Sequence, residues 1–118
     1  MKPTQKEIAE SFSSGNFELT FPFLSEKIVW DVVGENRFKG KAEVITNCKQ
    51  TSKYFESVQT NFRTDDIIVT DNKVVIRGTG EFIREGKRVN LIIACDVYEF
   101  DENSELEKIS SYCIPEKK

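Results

Sequence analysis

Residues 91–100 have the sequence Leu-Ile-Ile-Ala-Cys-Asp-Val-Tyr-Glu-Phe, in which only Asp96 and Glu99 are charged. Side chains of a strand alternate between its two faces, and both faces of this segment are apolar. The even-numbered face carries Ile92, Ala94, Asp96, Tyr98 and Phe100. Such a strand is covered on both sides, so we predict that Asp96 is a carboxylate on a buried face. There it must be hydrogen-bonded, or its pKa must rise.

This segment belongs to a run of four predicted strands in the second half of the chain. The strands cover residues 60–70, 73–84, 87–100 and 106–114. Asp71-Asn72 and Glu85-Gly86 are two-residue turns of the kind that joins the strands of a hairpin. We therefore expect an antiparallel meander in this half.

Helical patterns dominate the first half. Thr4-x-x-Glu7 is a capping box that begins a first helix, and Gly15 ends that helix. A second, short helix follows, and Pro22 is expected to kink or end it. The remaining elements are a strand at 28–33 and a helix at 41–58.

Helices in the first half and strands in the second are typical of an α+β fold. We expect one domain over residues 1–118, with three helices from the N-terminal half packed on one face of a curved sheet. A strongly bent sheet closed by helices leaves a cavity on its concave side. Concave apolar sites of this kind bind small ligands.

The composition excludes several classes of function. The 118 residues carry a net charge of −3 and no basic stripe, so we expect no nucleic-acid partner. The longest apolar run, residues 91–95, is far shorter than a membrane span, so we expect no membrane partner. The first residues lack the apolar stretch of a secretory signal, which predicts a cytoplasmic protein.

The chain contains no histidine. This excludes Ser-His-Asp and Cys-His nucleophiles as well as histidine-based metal sites. We expect no metal and no cofactor, and any acid–base chemistry falls to Asp, Glu, Tyr, Cys or Lys. The three cysteines have no CxxC spacing and are expected to be reduced.

Asp31 is a second carboxylate in an apolar setting. It lies in the strand at 28–33, between Val29 and Val33 on the same face. An aspartate in such a place is often structural, bonded to a backbone amide or to an arginine such as Arg63 or Arg77. Alternatively, Asp31 and Asp96 face one cavity and act on a ligand there. The residues alone leave both interpretations open.

Two stretches resemble the NTF2-like superfamily, which includes ketosteroid isomerases and SnoaL-type polyketide cyclases. The first is Ile28-Val-Trp-Asp-Val-Val-Gly34, followed by Phe38-Lys-Gly-Lys-Ala-Glu-Val-Ile45. The second, Cys95-Asp-Val-Tyr-Glu-Phe100, is similar to the terminal hairpin of the ketosteroid isomerases. The resemblance implies a cone-shaped, cystatin-like fold, in which three helices from the N-terminal half pack on a mixed sheet. It also implies a homodimer formed through the outer face of the sheet.

The resemblance also implies a site. Asp31 corresponds to the general base of the isomerases, and Asp96 to their protonated acid, which donates a hydrogen bond to the enolate. The residues that would line the ligand cavity are Phe23, Ile92, Ala94, Tyr98, Ile109, Ser111 and Cys113. The isomerases also use a tyrosine of the first helix, where this chain has Ile8. Ketosteroid isomerisation itself is therefore not expected.

Three classes of function follow from these residues. The first is a module that binds a small, mostly apolar molecule without converting it. The second is an isomerase or cyclase in which Asp31 is the base and Asp96 the neutral acid, which requires both carboxylates in one cavity. The third is a dimerisation or interaction domain whose pocket is vestigial.

Overall fold

The computed structural model describes residues 2–116 and contains the predicted elements plus one short strand. The helical elements are α1 (Gln5–Ser13), a 3₁₀ helix (Phe17–Phe23) and α2 (Lys41–Ser57). The strands are β1 (Leu24–Val32), β2 (Asn36–Lys39), β3 (Gln59–Val69), β4 (Lys73–Arg84), β5 (Lys87–Phe100) and β6 (Leu106–Pro115). The predicted α+β fold is confirmed, and only β2 has no counterpart in the prediction.

Local sequence signals explain how the helical elements begin and end. Thr4 Oγ1 accepts a hydrogen bond from the Glu7 amide at 3.1 Å, and the Thr4 amide donates to Glu7 Oε1 at 2.9 Å, which confirms the capping box. Gly15 follows α1 with a φ of 84°, in the left-handed region that favours glycine. Pro22 lies inside the second helical segment, which stays 3₁₀ and ends at Phe23.

The six strands form one mixed sheet in the order β2-β1-β6-β5-β4-β3. β1 is parallel to β6, and the other neighbouring pairs are antiparallel. The long strand β5 lies between β4 and β6, as its apolar side chains predict. The register shifts between β3 and β4 at Asp65, and between β4 and β5 at Val89. Irregularities of this kind bend and twist a sheet, which positions a concave inner face under the helices.

The helices cover only the inner face of the sheet. The core there contains buried residues of both α-helices and of the central strands, among them Ile8, Phe12, Ile28, Val44, Cys48, Tyr98 and Ile109. The outer face carries exposed apolar side chains, namely Ile68 (53%), Ile93 (50%), Tyr112 (47%) and Ile114 (64%). The prediction that β5 is covered on both faces is therefore wrong for the single chain, because none of the helices described within residues 2–116 packs on its odd-numbered side.

One sheet and one core account for residues 2–116, and the ends of the predicted domain 1–118 lie outside the described residues. Within 2–116, none of the helices has the length and apolar character needed to cross a membrane. The cytoplasmic location stays a prediction.

Candidate functional site

A cavity of about 430 Å³ lies between the inner face of the sheet and the helices. Aromatic rings supply much of its wall: Phe12, Trp30, Phe38, Phe55, Phe62 and Phe82. These rings also pack on one another, since the Phe12 and Trp30 centroids are 5.0 Å apart and those of Phe55 and Phe82 are 5.6 Å apart. A wall of this composition suits a ligand that is mostly apolar.

Two glycines of β4 allow neighbouring atoms to pack closely against this wall. A Cβ atom at Gly78 would lie 2.7 Å from the carbonyl oxygen of Arg63 in β3, and one at Gly80 would lie 3.3 Å from the ring of Phe62. Glycine inside a strand weakens it and often marks a close approach of neighbouring atoms. At these positions the missing side chains let β3 and the Phe62 ring lie close to β4.

Asp96 is the one acidic residue among the described residues that line the cavity. It lies on the inner face of β5, opposite Ser111 of β6. Ser13, the last residue of α1, donates a hydrogen bond to Asp96 Oδ2 at 3.4 Å. The same hydroxyl lies 2.5 Å from the hydroxyl of the fully buried Tyr98. Residues from one helix and two strands thus bring three hydroxyl groups to one carboxylate.

Burial sets the protonation behaviour of this cluster. It raises the pKa of Asp96, and hydrogen bonds from Ser111, Ser13 and Tyr98 oppose that rise. Burial and the neighbouring Asp96 charge also raise the pKa of Tyr98 well above its ordinary value. Tyr98 is therefore a neutral hydroxyl at physiological pH and can donate a hydrogen bond.

Trp30 extends the hydrogen-bonded cluster. Its indole Nε1 donates to Ser111 Oγ at 3.0 Å, and both side chains are buried. An indole N–H can only donate, so the Ser111 oxygen is the acceptor in this bond. The proton of Ser111 is then free for Asp96, in agreement with the effect of Ser111 on the Asp96 pKa.

Asp31 lies on the outer face of the sheet and is not among the residues that line the cavity. Arg37 of β2 is its partner in the register, and Arg37 Nη2 lies 3.4 Å from Asp31 Oδ2. The reason is alternation, because Trp30 and Val32 line the cavity and Asp31 between them must point outward. The expectation that Asp31 and Asp96 face one cavity is therefore wrong. Asp31 is bonded to an arginine, as in the alternative interpretation, but the partner is Arg37.

Five of the seven predicted lining residues line the cavity: Ile92, Ala94, Tyr98, Ser111 and Cys113. Phe23 ends the 3₁₀ helix and packs against the core instead. Ile109 is fully buried between its register partners Trp30 and Tyr98, below the cavity surface. Contact of the five lining residues with a ligand stays a prediction.

Sequence reasoning missed Ser13, Trp30 and Phe62 as cavity residues. Alternation alone assigns Trp30 and Asp31 to opposite faces, and the strong tendency of tryptophan to be buried could have indicated which of the two points inward. The position of Ser13 depends on how α1 docks on the sheet, and that of Phe62 on the pairing of β3 with β4. Neither leaves a local signal in the sequence.

The cysteines give the cavity little reactivity. Cys113 lines it, and burial raises the pKa of this thiol to about 11. Cys48 is in the core, where burial raises its pKa to about 12. Neither is a ready nucleophile. Residues 2–116 contain no group of three or more His, Cys, Asp or Glu side chains that could hold a metal ion.

Comparison with known proteins agrees with this architecture. The SnoaL-like domain model matches residues 6–109. An NTF2-like protein of unknown function from Cytophaga hutchinsonii is 33% identical in sequence and superimposes with a TM-score of 0.85, over 97% of this chain and 99% of that one. No curated protein is significantly similar in sequence to the chain.

More distant structures share the fold. A proposed SnoaL-like polyketide cyclase from Shewanella denitrificans is 14% identical and has a TM-score of 0.72, over 93% of this chain and 90% of that one. An LEH-like epoxide hydrolase from M. tuberculosis is 17% identical and has a TM-score of 0.66, over 89% and 75% of the two chains. At these identities the likeness concerns the fold alone.

Proposed function

We propose that this chain, which belongs to the SnoaL-like family of the NTF2-like superfamily, holds a small and mostly apolar molecule in the cavity between sheet and helices. The observation that carries the proposal is the position of Asp96, a hydrogen-bonded carboxylate in an aromatic-lined cavity of about 430 Å³. Small-molecule sites in proteins combine an apolar wall with a few convergent polar groups in this way. The wall supplies affinity, and the Asp96 cluster fixes the orientation of the ligand.

Binding can be tested with N-phenyl-1-naphthylamine, a neutral dye that becomes fluorescent in apolar surroundings. The chain has a single tryptophan, Trp30, and it lines the cavity, so the same titration is followed by quenching of its emission. We expect saturable dye binding with one site per chain. Absence of saturable binding would contradict the proposal.

A matched pair of variants locates the dye. Ala94→Phe places a ring inside the cavity, whereas Ile93→Phe places it on the half-exposed outer side of the same strand. We expect Ala94→Phe to weaken dye binding at least about tenfold, and Ile93→Phe to leave it unchanged. Equal effects of the two variants would mean that the dye binds elsewhere.

The second candidate function is proton transfer by Asp96 alone. The structural observation in its favour is a largely buried carboxylate with a raised pKa inside a cavity, which is typical of acid–base residues. The isomerase scheme that uses Asp31 as the base no longer applies, because Asp31 is on the other face. In a scheme with one carboxylate, Asp96 takes a proton from a carbon next to a carbonyl and returns it to the product.

Incubation with 2-tetralone in D₂O tests this candidate, because transient removal of a proton from the α-carbon exchanges it for deuterium. Exchange faster than in buffer, and lost in Asp96→Asn, is the expected result if Asp96 is a base. Exchange at the buffer rate would leave the binding function as the better account. Asp31→Asn is the matched control, since it changes the same functional group outside the cavity.

We also propose that two copies of the chain pair through the outer face of the sheet. Ile93, Tyr112 and Ile114 lie side by side there and are about half exposed or more, and exposed apolar patches on soluble domains often mark contact surfaces. Sedimentation equilibrium should give a dimer that Ile114→Asp converts to a monomer. Leu19→Asp changes a 60% exposed apolar residue away from the sheet and should leave the dimer intact.

A further inference from the structure

The hydrogen bonds around Asp96 have a direction. The Trp30 N–H donates to the Ser111 oxygen, and the Ser111 hydroxyl donates to Asp96. Ser13 and Tyr98 share a second hydrogen bond, in which either hydroxyl can donate. Each hydroxyl has one proton, so one proton is used between the two groups and the other is left for Asp96, which lies within reach of both.

The cluster of Trp30, Ser13, Tyr98, Ser111 and Asp96 has four hydrogen-bond donors, one N–H and three O–H groups. Each of them donates to another member of the cluster, so none is left for a ligand. An ionised carboxylate offers about four lone-pair sites, and about two of them are occupied, by the Ser111 proton and by one proton of the Ser13–Tyr98 pair. The free hydrogen-bonding capacity of this cluster is therefore acceptor capacity on Asp96.

The surroundings of Asp96 include no free cation or second carboxylate in the described part of the cavity wall. The titratable side chains that face it are Tyr98 on the same strand and Cys113 on β6, and both are neutral at physiological pH because their pKa values are raised. Arg63 also lines the cavity, but its Nε is bound to Asp65 at 2.8 Å and its side chain is 74% exposed. Burial is the larger influence and raises the pKa of Asp96, and the hydroxyl donors are the groups that oppose this rise and favour the ionised form.

From this geometry we infer that the ligand is an apolar molecule whose polar group is a hydrogen-bond donor, such as a phenol or an alcohol, bound to ionised Asp96. The inference rests on the proposed binding function and makes it more specific. A site built around a neutral acid has the opposite preference, because a protonated carboxyl donates a hydrogen bond and would select a ligand with a carbonyl acceptor.

Three naphthalenes of similar size distinguish a site that prefers a hydrogen-bond donor from one that prefers an acceptor, when their affinities are measured by calorimetry at pH 7. 2-Naphthol has a donor, 2-methoxynaphthalene is its counterpart without one, and 2-acetylnaphthalene has only an acceptor. A hydrogen bond to a charged group corresponds to about tenfold or more in affinity. We therefore expect 2-naphthol to bind at least about tenfold more tightly than either of the others.

Asp96→Asn replaces the carboxylate by an amide that both donates and accepts, so the preference for 2-naphthol should fall to less than about threefold. Asp31→Asn should leave the tenfold preference unchanged. An independent readout needs no ligand, since the carboxyl ¹³C shift of Asp96 should report the ionised form at pH 7. Ser111→Ala and Ser13→Ala should each raise the pKa of Asp96.

The outcomes separate this inference from the function on which it rests. Equal affinities for the three compounds, or a preference for 2-acetylnaphthalene, would overturn the donor-ligand inference and leave the binding function standing. A protonated Asp96 at pH 7 would overturn it as well. Absence of binding by all three compounds would overturn both.

Discussion

Replacement of Gly78 by alanine is the most direct test of how the cavity wall is built. The new Cβ would lie 2.7 Å from the backbone carbonyl oxygen of Arg63, a distance that real Cβ atoms do not tolerate. Because the obstructing atom belongs to the backbone, β3 itself must move away from β4. Crowding of this kind costs about 1–3 kcal/mol, whereas replacing glycine by alanine in the unfolded chain stabilises by about 0.4–1 kcal/mol. We expect a net loss of about 1–2 kcal/mol in the free energy of unfolding.

The matched control is Gly80→Ala on the same strand and the same face. Its Cβ would meet the ring of Phe62 at 3.3 Å, and that ring is the end of a side chain that is 37% exposed and able to turn. We expect Gly80→Ala to change stability by less than about 0.5 kcal/mol, since the entropic gain offsets a small displacement. The two variants carry the same chemical change, so their difference isolates the cost of moving a backbone.

Urea denaturation followed by Trp30 emission measures both variants, and thermal melting provides a second value. For 118 residues an unfolding entropy of about 2.1 cal/mol/K per residue gives about 0.25 kcal/mol/K in total, so 1 kcal/mol corresponds to about 4 °C. Gly78→Ala should therefore melt about 4–8 °C below the parent. If Gly78→Ala were as stable as Gly80→Ala, the close approach of β3 to β4 would be refuted.

Three further predictions concern the cluster and the thiols. The pKa of Asp96 is higher in the folded than in the unfolded chain. The contribution of Asp96 to stability is therefore complete below the unfolded pKa and is lost as pH rises through the folded pKa. In urea denaturation across pH 4–8, the parent should lose this part of its stability as pH rises, whereas Asp96→Asn should not. Tyr98→Phe deletes a fully buried hydroxyl and leaves Ser13 without this partner, which should cost about 1–2 kcal/mol in urea denaturation, and an unchanged midpoint would contradict the cluster. Cys113 has a thiol pKa of about 11 and should react with a disulfide reagent at pH 8 far more slowly than free cysteine, whereas a normal rate would mean that the thiol is not buried.

Much of the fold could be predicted because its signals are local. The capping box at Thr4 and the apolar faces of β5 specify their elements without knowledge of the rest of the chain. The short strand β2 is different, since its four residues have no clear alternation and become a strand only by pairing with β1. The open side of β5 was also unpredictable, because an apolar strand face has the same sequence whether a helix or a second chain covers it.

The site was predictable only in part for a related reason. The inner-face residues of β5 follow from alternation along one strand, and this places Asp96, Ala94 and Tyr98 together. To place Asp31, one would need to know which face of β1 points toward the helices. Its apolar neighbours Val29 and Val33 suggested that Asp31 is on the buried face. On the outer face, however, Val33 is 40% exposed and Asp31 is bonded to Arg37. Alternation gives relative directions within a strand, whereas the choice of face depends on pairing and on the docking of helices.

The cavity and the polar cluster inside it have different origins in the structure. A bent sheet under helices produces the cavity, and the same fold is found in solved structures that are only 14–17% identical in sequence. The hydroxyls that reach Asp96 come instead from the end of α1, from β5 and from β6, and they are oriented by the indole of Trp30. Helix α1 has no tyrosine to donate into the cavity, and its Ser13 bonds to Asp96 and Tyr98 instead. The shape of the cavity therefore constrains the size of a ligand, while the direction of these few hydrogen bonds selects the kind of polar group that it can carry.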